Sequence, residues 1–201
     1  MVIQNILDIR EVDQVLVLKF DLQEVWLDSR LQYYNLKEDT DMNTLIFEEK
    51  SIVWVPKIIF SNTREDLTSK NDKKSFVKVV RNPRVNGTLI SNDENKDILV
   101  YQGSQNELKI NRVYEIEFIC TFDIRYYPFD IQVCTVDLVI DDNAAQFLQL
   151  QPNIITFSGR SSFAQYYDMS YDIYSSNILG KDGVKLSLTL GRRLLGVILT
   201  A

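Results

Sequence analysis

Cys120 and Cys134 are the only two cysteines in a chain of 201 residues, and their chemistry is narrow. In an extracellular setting they would pair and close the thirteen residues between them into a loop. In a reducing setting they would be two core side chains on neighbouring strands, and spacing alone leaves both readings open. An immunoglobulin-type bridge does not fit, because it joins cysteines much farther apart in sequence. The chain has no histidine, so the usual zinc sites cannot be built and neither a Ser-His nor a Cys-His nucleophile pair can form. Asp and Glu together number 28, yet no spacing singles out an acid/base pair. An extracellular carbohydrate-binding sandwich or hydrolase is therefore a distant alternative, and no catalytic residue, metal or cofactor is expected.

The elements that must position these residues read as strands. Val15, Val17 and Phe20, then Phe76, Val77 and Val79, then Leu186, Leu188 and Leu190 follow a period of two, the pattern of half-buried strands. Tyr114 to Ile119 alternates acidic with bulky apolar residues, as a strand with one wet face does. Turn signals fall between such runs at Ser61-Asn62, Asn82-Pro83, Asn86-Gly87, Ser91-Asn92-Asp93, Gln102-Gly103-Ser104, Gly159-Arg160-Ser161 and Gly180-Lys181-Asp182-Gly183. Their spacing predicts an all-β antiparallel sandwich or barrel with no long helix. Length and the lack of a linker predict one domain over residues 1–201.

Composition is globular, with 45% hydrophobic and 25% charged residues. A net charge of −6 without a basic stripe argues against a nucleic-acid partner. Arg192 and Arg193 precede the apolar run Leu194 to Leu199, which reads either as a last core strand or as entry into a membrane.

The filling between the cysteines is more specific than their spacing. Tyr127-Pro128-Phe129-Asp130 occupies its second half, and Pro128, with fixed φ and no N–H, forces a turn there and leaves an aromatic tip. With that filling, Cys-x13-Cys resembles the signature loop of the Cys-loop receptors, the pentameric neurotransmitter-gated ion channels. Val25-Trp26-Leu27-Asp28-Ser29-Arg30-Leu31 is similar to the family's Trp-x-Asp-x-Arg-Leu segment. Trp54-Val55-Pro56-Lys57 is similar to its Trp-x-Pro-Asp stretch, with Lys57 in place of the acid. Gly191-Arg192-Arg193-Leu194 is similar to the strand that leads into the first membrane helix.

The resemblance implies an immunoglobulin-like sandwich, a Cys120–Cys134 disulfide and a coupling set of Glu11, Tyr127, Pro128, Phe129, Asp130 and Arg192. It implies a homopentamer or a ring of homologous subunits in the cell membrane, with this domain on the extracellular side. Residues from about 192 to 201 would lead into the first transmembrane helix. The family's opening helix has no counterpart, since Met1 to Asp8 already reads as a strand. A channel-less soluble binding protein of the same fold is the alternative, disfavoured by Arg192, Arg193 and the apolar run.

A small-molecule ligand is implied between subunits, where the family places a box of aromatic side chains. The matching positions here are Asp21, Gln23, Phe60, Ser61, Asn111, Asp141 and Lys181, with Tyr171 and Tyr174 as the good aromatic candidates at the base of the loop before the last strand. Asp21 and Asp141 could hold an amine or a divalent cation, or be solvated surface acids. Such a site implies an invertebrate-like member and not a classical acetylcholine, GABA or glycine receptor. Asn86-Gly87-Thr88 is the only Asn-x-Ser/Thr acceptor, predicting a glycan on Asn86.

Overall fold

The computed structural model describes residues 1–45, 53–64, 75–91, 97–141, 148–160 and 165–193. The turn at Asn92-Asp93, Ser161 and the apolar run Leu194 to Leu199 lie outside these residues. Twelve strands are formed among them. They are β1 (Val2–Arg10), β2 (Val15–Trp26), β3 (Gln32–Tyr34), β4 (Ile58–Phe60), β5 (Val77–Val80) and β6 (Thr88–Ser91). The rest are β7 (Asp97–Gln102), β8 (Glu107–Ile119), β9 (Ile131–Ile140), β10 (Thr156–Phe157), β11 (Tyr166–Ile178) and β12 (Lys181–Arg192). The helical content among the described residues is one 3₁₀ turn, Thr40–Asn43, whose first turn is capped by the Asp39 carboxylate accepting from the Asp41 amide.

The chain divides into two compact units. The first comprises Met1–Leu22, Pro56–Lys70 and Val113–Ala201. Here one sheet runs in the order β10-β1-β2-β8 and a second in the order β11-β12-β9-β4. β1 pairs with β2, β11 with β12, and both β12 and β4 with β9, all antiparallel, while β1 and β10 run parallel with Val2 opposite Thr156. The two sheets enclose a core that includes Leu16, Leu18, Phe20, Ile116, Phe118, Val136, Leu186, Leu188 and Leu190. This is the antiparallel β-sandwich that the strand spacing and the family resemblance imply.

Two strands show how the pattern is read by the fold. In β1, irregularities between Ile3 and Asn5 and between Ile6 and Asp8 shift the period, so Ile3 and Ile6, three apart, both face the core. In β2 the core face is carried by Leu16, Leu18, Phe20 and Leu22, while Val15 and Val17 are buried outside that cluster. The expectation that Val15 and Val17 share a face with Phe20 is corrected. A run of four apolar residues covered on both sides carries no phase of its own.

The second unit comprises Gln23–Val55 and Asn71–Arg112. Its sheet runs β3-β7-β6, and β5 pairs with the first half of β8, Val77 opposite Ile110. Its core holds Tyr33, Leu36, Val77, Val79, Tyr101, Leu108 and Ile110. Phe76, expected inside with Val77 and Val79, is exposed.

Candidate functional site

In the first unit, the sandwich brings the turn between β1 and β2, the loop between the cysteines and the end of β12 to one place. The sulfurs of Cys120 and Cys134 are joined, with Cα atoms 5.1 Å apart, inside the usual range for a bridge. Closing a loop of this size stabilises by about 3 kcal/mol in the chain-entropy account. Within the loop, Tyr127 N–H donates to the Ile124 carbonyl and Phe129 N–H to that of Tyr126. This tight turning carries a cis Tyr127–Pro128 bond and leaves Tyr126, Tyr127 and Phe129 exposed at the tip.

Asp130 turns inward where the tip ends. Its side chain is buried, and so is that of Arg192. The Arg192 guanidinium donates through Nε to Asp130 Oδ1 at 2.5 Å and through Nη2 to Oδ2 at 2.8 Å, the bidentate fork that guanidinium and carboxylate geometry favours. Nη1 donates to Glu11 Oε1 at 2.9 Å. Burial alone would lower the Arg192 pKa, but the hydrogen bonds to Asp130 and Glu11 outweigh it and hold the value above that of a free arginine. The same bond from Arg192 holds Asp130 below the usual carboxylate range, against the opposing effect of burial. Glu11, Asp130 and Arg192, separated by up to 181 positions, therefore form one ion cluster.

Three further residues complete it. Tyr166, at the start of β11, is almost fully buried. Its hydroxyl accepts from Arg192 Nη2 at 2.5 Å and donates to Glu11 Oε1 at 2.7 Å. Burial first, and then the Glu11 carboxylate, push this phenol pKa up. The guanidinium carbon lies 4.7 Å from the Tyr166 ring centroid and 4.9 Å from that of Tyr127, so Arg192 also makes two cation–π contacts. Gln132 donates to Asp130 Oδ2 at 2.5 Å and to the Asp123 carbonyl. Gln14 accepts from the amides of Cys120 and Phe122 through its carbonyl and side-chain oxygens, tying the β1–β2 turn to the loop. Tyr166, Gln132 and Gln14 carry no spacing signal. Only an unusual φ of 57° at Gln14 sets it apart, and that is visible in the fold alone.

The positions matched to the ligand box do not converge as a set. Phe60 turns inward, its ring 5.6, 5.1 and 5.9 Å from those of Phe20, Tyr114 and Phe118. Tyr171 lies opposite Leu188 and packs on the core near Phe157, whereas Tyr174 lies opposite Lys185 and is 45% exposed. Three residues apart on one strand, the two tyrosines face opposite sides, and both sit within β11. Their expected placement together at the base of a loop is corrected. The loop itself is a two-residue turn at Leu179-Gly180, and Lys181 and Gly183 already belong to β12.

Asp21 accepts from Gln4 at 2.8 Å through Oδ2, while its Oδ1 is buried without a hydrogen-bond partner. Ser61 Oγ is likewise buried and unpartnered, its amide donating to the Asp137 carbonyl. Asp141 follows the end of β9, and its amide donates to the Lys57 carbonyl. In the second unit Gln23, Asn111 and Asn86 are exposed. Among the described residues no helix is long and apolar enough to cross a membrane, and no group of three or more metal-ligating side chains is present.

The site thus joins a β-sandwich to a disulfide-closed loop that presents an aromatic tip and delivers a carboxylate to a buried arginine. The chain belongs to the neurotransmitter-gated ion-channel ligand-binding domain family, whose profile matches residues 1–154. It is 28% identical over 139 residues to the gamma-aminobutyric acid receptor subunit beta-like of Drosophila melanogaster, covering 65% of this chain and 24% of the relative. It is 24% identical over 189 residues to the acetylcholine receptor non-alpha chain of Onchocerca volvulus, covering 85% and 37%. To the betaine receptor acr-23 of Caenorhabditis elegans it is 28% identical over 130 residues, covering 65% and 20%. The chain thus spans between a fifth and two fifths of the length of these relatives.

Proposed function

We propose that this ligand-binding domain works on the extracellular side of a membrane, in a ring of five identical or homologous subunits, and passes ligand-induced movement to a pore through Glu11, Asp130 and Arg192. The observation that carries the reading is the Arg192 clamp: a buried cation held by two carboxylates, a phenol and two ring faces. Such a cluster costs several kcal/mol when one partner is removed, so strand movement at one end is transmitted and not absorbed. Tyr127, Pro128 and Phe129 form the exposed contact beyond it. Val12, 98% exposed in the β1–β2 turn, gives that turn an apolar contact of its own.

The ligand is a small molecule bearing an ammonium group, held at subunit interfaces. Relatives are named for gamma-aminobutyric acid, acetylcholine, betaine and 5-hydroxytryptamine, all of which carry a nitrogen cation. Asp21, Ser61, Asp141 and Tyr174 supply its polar contacts, with Gln23 and Asn111 on the second unit. Asp21 Oδ1 and Ser61 Oγ are buried without a hydrogen-bond partner in this chain. Phe60 and Tyr171 brace the surface from the core side. Asn86 carries a glycan.

The test uses the full-length channel. Light scattering of the solubilised protein should give five copies, and Arg192→Gln should abolish gating or weaken it strongly while the 201-residue chain keeps its fold. A stable monomer, or an Arg192→Gln channel that reaches the surface and opens with wild-type sensitivity, overturns the reading.

A further inference from the structure

The sequence holds one Asn-Gly pair, Asn86-Gly87, and one Asp-Gly pair, Asp182-Gly183. Either pair has the composition to close a succinimide, in which the glycine amide nitrogen attacks the preceding side-chain carbonyl carbon. A following glycine favours that attack because no Cβ shields its nitrogen or restrains its backbone. The reaction also needs an accessible side chain and a main chain that is able to swing nitrogen and carbon into contact. The fold treats the two pairs differently.

Asp182-Gly183 is held in register on both sides. Gly183 is buried in β12, opposite Ser176 of β11 and Val139 of β9, and Asp182 lies opposite Asn177. A Cβ on Gly183 would come within 2.5 Å of the Leu138 carbonyl oxygen. Turning the Asp182–Gly183 peptide would therefore break two ladders and press on a third backbone.

Asn86-Gly87 lies between two fixed points and belongs to neither. Before it, a turn closes with the Val85 N–H donating to the Asn82 carbonyl at 3.1 Å and the Arg84 N–H to Asn82 Oδ1 at 3.0 Å. After it, the β6–β7 ladder begins at Thr88, opposite Val100. Asn86 is exposed in the irregular stretch between them, where the main chain turns at little cost.

We propose that Asn86 is a site of spontaneous deamidation. The Gly87 nitrogen attacks Asn86 Cγ, a C–N bond forms, the Cγ–Nδ2 bond breaks, and ammonia leaves with the Gly87 amide proton. Water then opens the ring to aspartate or isoaspartate, with no change of oxidation state. Conversion adds a negative charge and removes the side-chain nitrogen that a glycan requires, while a glycan on that nitrogen blocks conversion. Isoaspartate also routes the main chain through Cβ, lengthening it just before Gly87, where a Cβ would already sit 2.8 Å from the Tyr101 ring. The site needs neither a pore nor a neighbouring subunit.

The test starts from the unglycosylated 201-residue chain made in bacteria. Held at about 37 °C for weeks, it should accumulate aspartate and isoaspartate at Asn86, read by peptide mass spectrometry and isoaspartyl methyltransferase labelling. Position 182 should stay free of isoaspartate, and Asn5 and Asn177, each followed by isoleucine, should stay amidated. Because the attacking nitrogen must lose its proton, the rate should rise between about pH 6 and about pH 8. Asn86→Gln, which would have to close a larger ring, should slow conversion at least about tenfold. A chain glycosylated in a eukaryotic host should resist conversion, and Thr88→Ala from that host, which lacks the acceptor, should regain the bacterial rate. Conversion of a eukaryotic parent that carries no glycan would support the proposal and refute the glycan. An Asn86 that converts no faster than Asn5 or Asn177, a rate independent of pH, or isoaspartate at position 182 ahead of position 86 would each overturn the proposal.

Discussion

At the scale of single residues, the ion cluster makes acid stability its signature. Arg192 holds Asp130 below the usual carboxylate range, so the folded chain takes up this proton at lower pH than the unfolded chain does. The stabilisation is therefore complete above the unfolded carboxylate value, about 4, and is lost as pH falls through the folded value. The thermal midpoint of the 201-residue chain should drop between pH 7 and pH 3, and Asp130→Asn should make that drop shallower. At pH 7 the same variant should cost about 3 kcal/mol, because it strips charge from a buried pair. An identical pH slope in the two proteins would remove Asp130 from the cluster's energetics. Tyr166 was beyond the reach of sequence here, since it meets Glu11 across 155 positions and a lone tyrosine has no motif.

At the scale of elements, the β11–β12 hairpin separates two glycines that look alike in sequence. Gly180 has φ +84° and follows Leu179 at φ 51°, the paired left-handed conformation of a two-residue hairpin turn. A Cβ on Gly180 would meet nothing within 4 Å, so its role is conformational. Gly183 instead lies in β12 opposite Val139 of β9, where a Cβ would come within 2.5 Å of the Leu138 carbonyl oxygen. Gly183→Ala should therefore destabilise by about 1–3 kcal/mol through overpacking. Gly180→Ala should cost about 1 kcal/mol through backbone strain alone. Urea unfolding of both variants measures the difference, and a Gly183→Ala protein as stable as the parent would refute the close approach of β9. The Gly-Lys-Asp-Gly run reads as one four-residue turn because turn propensity cannot tell a glycine needed for φ from one needed for space.

At the scale of the whole molecule, surface chemistry follows from which segments each unit leaves outside. Asn86 is exposed in the second unit, just before β6, with nothing described that blocks an acceptor asparagine. Gly87 after it is the constrained member, since a Cβ there would sit 2.8 Å from the Tyr101 ring. Secreted from a eukaryotic host, the chain should carry a mass increment that an N-glycosidase removes and that Asn86→Gln lacks. A parent chain whose mass the enzyme leaves unchanged would refute the site.

The sequence by itself determined the family, the disulfide loop and the sandwich. Cys120, Cys134, Tyr127-Pro128-Phe129-Asp130 and Arg192 are local signals, and alternation such as Leu186-Leu188-Leu190 states its own buried face. What only the tertiary structure decided is what depends on phase and distance. Leu16, Leu18, Phe20 and Leu22 of β2 face the first unit's core although Val15 and Val17 are equally apolar, and irregularities in β1 bring both Ile3 and Ile6 to that core. Phe60 and Tyr171 turn inward and Tyr174 outward because strand register, not residue type, assigns a side chain to a face. Lys78 and Lys109 stand opposite each other because β5 and β8 pair across about thirty residues of chain, a separation over which composition and local pattern carry no information about contact.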